Sequence, residues 1–186
     1  MGAGGHVILR EDGQYVVIHG GGTAVSIWNG NSATMTALPV VQRLTAAAGA
    51  GAISLRRPDG RYLVIHAGGN SGTTLIDLYG NFPATSGPTL SAGCTTLSTG
   101  TNAFQRTDGR SVLLCGGAAV TADYNPTLNT FTVGPVPGGA FGAGAHSIMR
   151  DDGTFLVFRG NNTTENYIYN QNQSTTQIGS FSQINP

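Results

Sequence analysis

One four-residue motif, Arg-x-Asp-Gly, occurs four times in the chain and constrains its fold more than any other feature. The aspartates of the four copies, Asp12, Asp59, Asp108 and Asp152, are 47, 49 and 44 residues apart. Repeats of this length are typical of propeller blades and solenoid units, which bury their apolar faces against one another. The spacing therefore divides the 186 residues into four copies of one unit. We expect a repeated structural role for Arg10, Asp12, Gly13, Arg57, Asp59, Gly60, Arg106, Asp108, Gly109, Arg150, Asp152 and Gly153.

Each copy has the pattern of four short strands. A short apolar run precedes the motif and a second one follows it, as in Tyr62-Leu63-Val64-Ile65. Asp-Gly between two such runs is a strong hairpin signal, and we expect both residues to adopt positive φ. The second run is apolar at every position, which predicts a strand covered on both faces. It ends in a glycine pair or its remnant, where we expect a close backbone approach or a left-handed turn. A third strand carries one aromatic residue, at Trp28, Tyr79, Tyr124 and Tyr169, and a short Thr-rich fourth strand follows.

This order of features resembles the kelch repeat. The third copy matches most closely, with Leu113-Leu114-Cys115-Gly116-Gly117 followed by Tyr124-Asn125-Pro126-Thr127-Leu128-Asn129-Thr130-Phe131. The resemblance implies an all-β protein, a β-propeller of four four-stranded kelch-like blades in a single repeat domain. The blades are expected at about 4–38, 51–90, 101–134 and 145–182. The family hosts oxidases, lyases, hydrolases and binding scaffolds, so the resemblance indicates the fold rather than the function.

The number of blades leaves three arrangements open. Four blades close a ring alone, two chains form an eight-bladed ring, or the chain is part of a larger propeller. In a ring closed by four blades, His6 and His146 would be neighbours. An unclosed row of blades would expose two apolar faces, which requires a partner.

Composition narrows the partners and the compartment. The formal net charge is zero, charged residues make up 10% of the chain, and none of them is Lys. A neutral chain is a poor match for nucleic acid, and no apolar run is long enough for membrane insertion. Low charge suits a subunit packed against its own copies, in a homo-oligomer, filament or lattice. We therefore expect an extracellular or virion-surface location, although no signal peptide is visible. A bridge between Cys94 and Cys115 is one alternative, and two buried thiols are the favoured one.

Several groups of residues are candidates for a functional site. We interpret the four motif arginines as ties between blades rather than an anion site. The loops that join the second and third strands, with the segments between units, form the expected binding face, suited to weak glycan contact or packing between copies. Its candidate residues are His19, His66, Arg159, Asn161 and Asn162. The histidines have no carboxylate set near them that would complete a metal site, so no cofactor is expected. Glycosylation triplets occur at Asn161, Asn162 and Asn172.

These observations lead to a functional hypothesis with two alternatives. The hypothesis is a non-enzymatic structural or adhesive propeller subunit of an extracellular or viral assembly. The first alternative is a fragment of a larger galactose-oxidase-like or sialidase-like propeller enzyme. The copper-binding tyrosines and histidines of the galactose-oxidase relatives do not map onto this sequence. The second alternative is a soluble protein-binding scaffold of the kelch type.

Overall fold

The computed structural model describes residues 2–90, 94, 95, 97–171 and 180–184, which form four four-stranded antiparallel sheets. Blade 1 contains β1 His6–Leu9, β2 Tyr15–Ile18, β3 Val25–Trp28 and β4 Thr36–Ala37. Blade 2 contains β5 Ile53–Arg56, β6 Tyr62–Ala67, β7 Asn70–Ile76 and β8 Thr85–Ser86. Blade 3 contains β9 Asn102–Gln105, β10 Ser111–Leu114, β11 Thr121–Asn125 and β12 Thr130–Val133. Blade 4 contains β13 His146–Met149, β14 Phe155–Phe158, β15 Asn166–Asn170 and β16 Ser180–Ile184.

The architecture is an all-β propeller with four blades, as the sequence predicts. Each sheet runs in chain order from first to fourth strand, and its neighbouring strands are antiparallel. The only helix in the described residues is the 3₁₀ turn Val40–Gln42. The exact limits of the four predicted units stay a prediction, and the Asn172 triplet lies outside the described residues.

The second strands of blades 1 to 3 form the core, as their continuous apolar runs predict, whereas β14 of blade 4 leaves Leu156 and Phe158 only half-buried. In blades 2 and 3, Leu63–Ile65 and Val112–Leu114 are completely buried. Val16 and Ile18, which share one face of β2 in blade 1, are equally inaccessible. A strand buried on both faces needs a neighbouring blade on each side, so the runs of blades 2 and 3 fix the packing of these blades between their neighbours.

The Arg-x-Asp-Gly segments form four equivalent turns, but not of the predicted type. The glycine N–H donates to the arginine carbonyl in every turn, at 3.0 to 3.1 Å. Only the glycine has positive φ, between 78° and 82°, so the prediction of positive φ at the aspartate is wrong. The loop is one residue longer than a two-residue hairpin, and it combines a type I turn with a left-handed glycine. The aspartate Oδ1 accepts the N–H two residues later, which stabilises this turn.

The register corrects the predicted alignment of the third strands. Trp28 lies opposite Tyr15, Tyr124 opposite Ser111, and Tyr169 opposite Phe155. In blade 2, however, the equivalent position opposite Tyr62 is held by Ile76 rather than Tyr79. Tyr79 follows three residues later, in the turn after β7, because β7 ends at Ile76.

The glycines after the second strands allow the segments before and between the blades to cross them closely. A Cβ at Gly20 would lie 2.1 Å from the carbonyl oxygen of Gly2, and one at Gly68 would lie 2.7 Å from Cα of Gly49. A Cβ at Gly116 would lie 2.4 Å from the backbone nitrogen of Thr101. Only glycine fits where two backbones approach so closely. The predicted close approach is therefore confirmed.

A disulfide joins Cys94 to Cys115, so the preference for two free thiols is wrong. Their Cα atoms are 5.5 Å apart, and both side chains are buried. Cys94 lies in the segment between blades 2 and 3, and Cys115 directly follows β10. The two cysteines occupy non-equivalent places in the repeat, so the repeat pattern could not reveal that the crossing segment brings them together.

Loss of this disulfide should lower the stability of the protein. The bridge closes a loop across a sequence separation of 21 residues. In the chain-entropy description, a crosslink of this span contributes about 3 kcal/mol. We predict that the Cys94→Ala, Cys115→Ala double variant loses about this free energy of unfolding in urea. A reductant should lower the stability of the wild type by the same amount and leave that of the double variant unchanged. Equal stability of all samples would contradict the prediction.

Candidate functional site

Three of the four motif arginines reach from their own blade to the next one. Nη1 of Arg57 donates to the hydroxyl of Tyr124 and, at 2.7 Å, to Oδ1 of Asn129. Nη1 of Arg106 lies 3.5 Å from the hydroxyl of Tyr169. These contacts join blade 2 to blade 3 and blade 3 to blade 4. The motif arginines therefore belong to the junctions between blades, where the sequence interpretation places them.

The first junction uses a different contact. The guanidinium carbon of Arg10 lies 4.3 Å from the centre of the Tyr79 ring, which is a cation–π geometry. Ile76 occupies the strand position that carries tyrosine in blades 3 and 4, so blade 2 has no hydroxyl there. The aromatic face of Tyr79 replaces that hydroxyl as the partner of the arginine.

Each motif arginine is also held by the aspartate of its own turn. The shortest nitrogen–oxygen distances are 2.8 Å for Arg10–Asp12, 3.1 Å for Arg57–Asp59, 2.8 Å for Arg106–Asp108 and 3.2 Å for Arg150–Asp152. A buried guanidinium needs such a partner, because an unpaired charge is costly to remove from water. The aspartate thus stabilises both the turn and the charge that reaches the next blade.

The electrostatics of the second and third junctions keep the tyrosine hydroxyls neutral. Burial raises the pKa of Tyr124, and it raises the pKa of Tyr169 to about 12. The carboxyl of Asp59 behaves in the opposite way. Partial burial opposes its ionisation, but hydrogen bonds from Arg57 and Arg61 outweigh that effect and lower its pKa to about 2. At neutral pH, the second junction therefore combines an ionised carboxylate, a guanidinium and a neutral phenol, and the phenol of the third junction is neutral as well.

The junction that would follow blade 4 is not made by the described residues. Ile8, Leu55 and Phe104 are the third residues of their first strands and are 6% to 8% exposed. Their counterpart in blade 4, Ile148, is 49% exposed. The side chain of Arg150 is 47% exposed, whereas those of the other three motif arginines are 2% to 9% exposed. We call the surface formed by His146, Ile148 and Arg150 the head face.

Blade 1 presents the matching side, which the described residues cover only in part. Tyr15 and Trp28 are only half-buried and lie with their ring centroids 5.4 Å apart. Tyr124 and Tyr169, which share the register position of Trp28, are completely buried beneath an arginine of the preceding blade. Val7 on β1 is 45% exposed. We call the surface formed by Val7, Tyr15 and Trp28 the tail face.

Within the described ranges, no hydrogen bond, ion pair or aromatic contact joins blade 4 to blade 1. Nε2 of His6 lies 2.6 Å from Oγ of Ser54 in blade 2, and no hydrogen bond among the described residues joins it to His146. The interface that a ring closed by four blades requires is therefore not formed by these residues. Sequence reasoning singled out Arg150 but not the exposed faces that carry Ile148, Tyr15 and Trp28, because only the register shows which strand face each one occupies.

The residues predicted to form the binding face do not lie on one surface, because some of them are exposed and others are buried. His66 is completely buried, and its Nε2 lies 2.6 Å from Oγ1 of Thr74, so its place on a binding face is corrected. His19 makes the equivalent contact with Oγ of Ser26, at 2.9 Å. Arg159 pairs with Glu165 and donates to the carbonyl of Ala140 at 2.8 Å. Asn161 and Asn162 are exposed and have φ of 58° and 56°.

Two further acidic residues, Asp77 and Asp123, have structural partners. The carboxylate of Asp77 accepts three backbone N–H groups, from Tyr79, Asn81 and Phe82. Asp123 is buried; burial raises its pKa, and Arg110 opposes that shift from 2.9 Å. Backbone N–H groups therefore hold the carboxylate of Asp77, and Arg110 holds one oxygen of Asp123.

An open groove of about 550 Å³ lies beside the turn of blade 2. The rings of Tyr79 and Phe82 are 46% and 63% exposed on its wall. Its carboxylates, Asp59 and Asp77, are engaged by arginine and backbone N–H groups. Exposed rings can stack on a sugar, yet few polar groups remain to orient one, so weak glycan contact stays a prediction.

In the described part of the chain, no group of three or more His, Cys, Asp or Glu side chains is arranged to hold a metal ion. The same part of the chain also contains no helix with the length and hydropathy of a membrane span.

Comparisons with known proteins identify the fold. No family model matches the chain, and no curated protein matches it. Among solved structures, a fungal alcohol oxidase of the AA5 family in complex with copper aligns with a TM-score of 0.66 at 16% identity, over 98% of this chain and 41% of the oxidase. Virginiamycin B lyase from Staphylococcus aureus aligns with a TM-score of 0.62 at 10% identity, over 99% of this chain and 56% of the lyase. YjhT aligns with a TM-score of 0.61 at 13% identity, over 99% of this chain and 65% of its own.

These likenesses support the propeller fold alone, since the identities are so low. The chain spans between about two fifths and two thirds of the length of these three structures.

Removal of the Tyr124 hydroxyl tests the second junction. Tyr124→Phe leaves the Arg57 guanidinium without one of its buried acceptors, and it should lower the free energy of unfolding by about 1.5 to 3 kcal/mol. Tyr79→Phe is the matched control, because Arg10 contacts the ring of Tyr79 rather than its hydroxyl. We expect the control to change stability by less than about 0.5 kcal/mol. Equal losses in urea denaturation would contradict this account of the two junctions.

The lowered pKa of Asp59 predicts a window of acid sensitivity. Its pKa is 3.8 when unperturbed and about 2 in the folded protein, so the folded state favours the ionised carboxylate. This contribution is complete above pH 3.8 and is lost as the pH falls through about 2. Asp59→Asn should therefore flatten the decline of stability between pH 4 and pH 2, measured by urea midpoints. The control is Asp151→Asn, which changes an exposed carboxyl with no ion pair in the described residues and should keep the wild-type dependence of stability on pH. The same dependence in Asp59→Asn would contradict the role assigned to the Asp59 carboxylate.

Proposed function

We propose that this protein is a non-enzymatic structural or adhesive subunit that works by self-association in a larger assembly. The observation that carries the proposal is the exposure of the head and tail faces. Ile148 and Arg150 are about half exposed where their counterparts in blades 1 to 3 are buried. Apolar and arginine-bearing surfaces that are buried at three junctions and open at the fourth suit a protein contact.

The composition and the disulfide support an extracellular or virion-surface location within the same proposal. Disulfides persist mainly in oxidising compartments. The bridge between Cys94 and Cys115 therefore favours such a location. The absence of Lys and the zero net charge suit a surface that is packed against other copies. The kelch resemblance belongs to the proposal too, supported by Gly116-Gly117 and the Asn125-Pro126 turn of the third blade.

A second candidate function rests on a specific observation. The backbone N–H groups of Gly21 and Gly117 donate to the segment that follows their blade, through Ala48 and Phe141. The equivalent N–H of Asn161 donates instead to Ala143, in the segment that precedes blade 4. A further segment and further blades of a longer chain would also complete this arrangement, as in a larger propeller enzyme. The solved structures that this chain resembles are longer than the chain itself, which supports this second candidate.

The native mass in solution distinguishes these functions. We predict that light scattering over a wide concentration range gives a multiple of the chain mass of 19.1 kDa, because the exposed end faces are covered in the assembly. A stable mass of one chain at every concentration would contradict self-association. A poorly folded chain that aggregates without a defined mass would favour the fragment of a larger propeller.

A further inference from the structure

We propose that the partner is a second copy of this chain and that the head face of each copy docks on the tail face of the other, closing an eight-bladed ring. In this junction Arg150 of one copy lies over Trp28 of the other. The inference rests on the proposed self-association and specifies its geometry.

The internal junctions supply the template. At each of them, the first strand and the motif arginine of one blade face the third strand or the following turn of the next. Head and tail faces hold the same register positions as these pairs, since Trp28 corresponds to Tyr124 and Tyr169. A fourth junction built in the same way therefore places Arg150 against Trp28.

The chemistry of the two faces is complementary. Trp28 has no hydroxyl to accept a hydrogen bond, but indole is the best cation–π partner among the aromatic side chains. Arg10 and Tyr79 already use this contact at the first junction. Arg150 is positioned for it by Asp152 and by Oγ1 of Thr154, each 3.2 Å away.

The apolar part of the junction is matched as well. At the third junction, the Phe104 ring stacks on Phe155 at 4.2 Å and meets Tyr169 edge-on at 5.0 Å. The equivalent residues at the new junction are Ile148 on the head face, and Tyr15 and Trp28 on the tail face. Docking would bury an isoleucine that is 49% exposed in the single chain.

The blade count selects a closed pair. Each copy has one head face and one tail face, so two copies make two identical junctions around a two-fold axis. The product has eight blades, which lies within the usual range of four to eight, whereas three copies would exceed it. A pair leaves neither face open.

Variants that disable one face each test the proposal. Arg150→Glu disables the head and Trp28→Ala the tail; each alone should have the mass of one chain. Mixed in equal amounts, the two variants should form a two-copy species through one intact junction, between the head face of Trp28→Ala and the tail face of Arg150→Glu. This species should associate at least tenfold more weakly than the wild type because the second junction is lost. Ile148→Glu and Val7→Glu, at exposed positions, repeat the test without altering the half-buried tryptophan. The matched controls Arg43→Glu and Phe82→Ala lie outside both faces and should associate as the wild type does.

The outcomes separate the junction from the proposed function. If all head and tail variants pair as the wild type does, the junction is wrong while self-association stands. If the wild type has the mass of one chain, the proposed function fails together with it. A wild-type mass that rises beyond two copies, or a mixture in which no two-copy species forms, would also overturn the closed ring.

Discussion

The structure depends on an arginine that leaves its own turn and enters the neighbouring blade. Arg57 and Arg106 are nearly buried, and a buried guanidinium is stable only when its donors are occupied. The aspartate two residues later supplies the charge, and the next blade supplies a phenol or an aromatic face. Turn formation and blade packing are thereby coupled, because the same Asp-Gly turn that reverses the chain also orients the arginine toward the next sheet.

The opposite end of each blade is held by a different interaction. There the segments between blades cross the glycines that follow the second strands, with backbones too close for any side chain. The Cys94–Cys115 disulfide reinforces one of these crossings. Each junction is thus fixed at both ends, by arginine at the hairpin turns and by backbone contact at the crossings. The head face keeps its arginine but has no blade to receive it among the described residues, which is why we propose it as a docking surface.

The fold could be predicted from the sequence because each repeat carries residues that no other type can replace at those positions. Glycine at the close crossings and Asp-Gly at the turns have local physical causes, so the pattern reveals them directly. The kind of turn was mispredicted, since Asp-Gly permits several loop lengths. In blade 2, Ile76 rather than the expected Tyr79 occupies the register position of the aromatic residue, because the register depends on where β7 ends. The disulfide was missed because its cysteines break the repeat.

The candidate site was only half predictable. Arg150 carries the motif and was therefore singled out, but its importance comes from being exposed where its three counterparts are buried. Exposure is a property of neighbours in space, and equivalent sequence positions in Ile8 and Ile148 give no sign that one is covered and the other open. For the same reason, His66 could not be recognised as an interior residue from its likeness to His19.

Trp28 is the single tryptophan of the chain and lies on the tail face, so its fluorescence tests the central claim directly. The measurement is acrylamide quenching of Trp28 across the concentration range in which light scattering reports association. If the fourth junction is built like the other three, quenching will fall as the mass doubles, because the guanidinium and isoleucine of the second copy cover the indole. Unchanged quenching of Trp28 while the mass doubles would show that the copies meet elsewhere and would contradict the account.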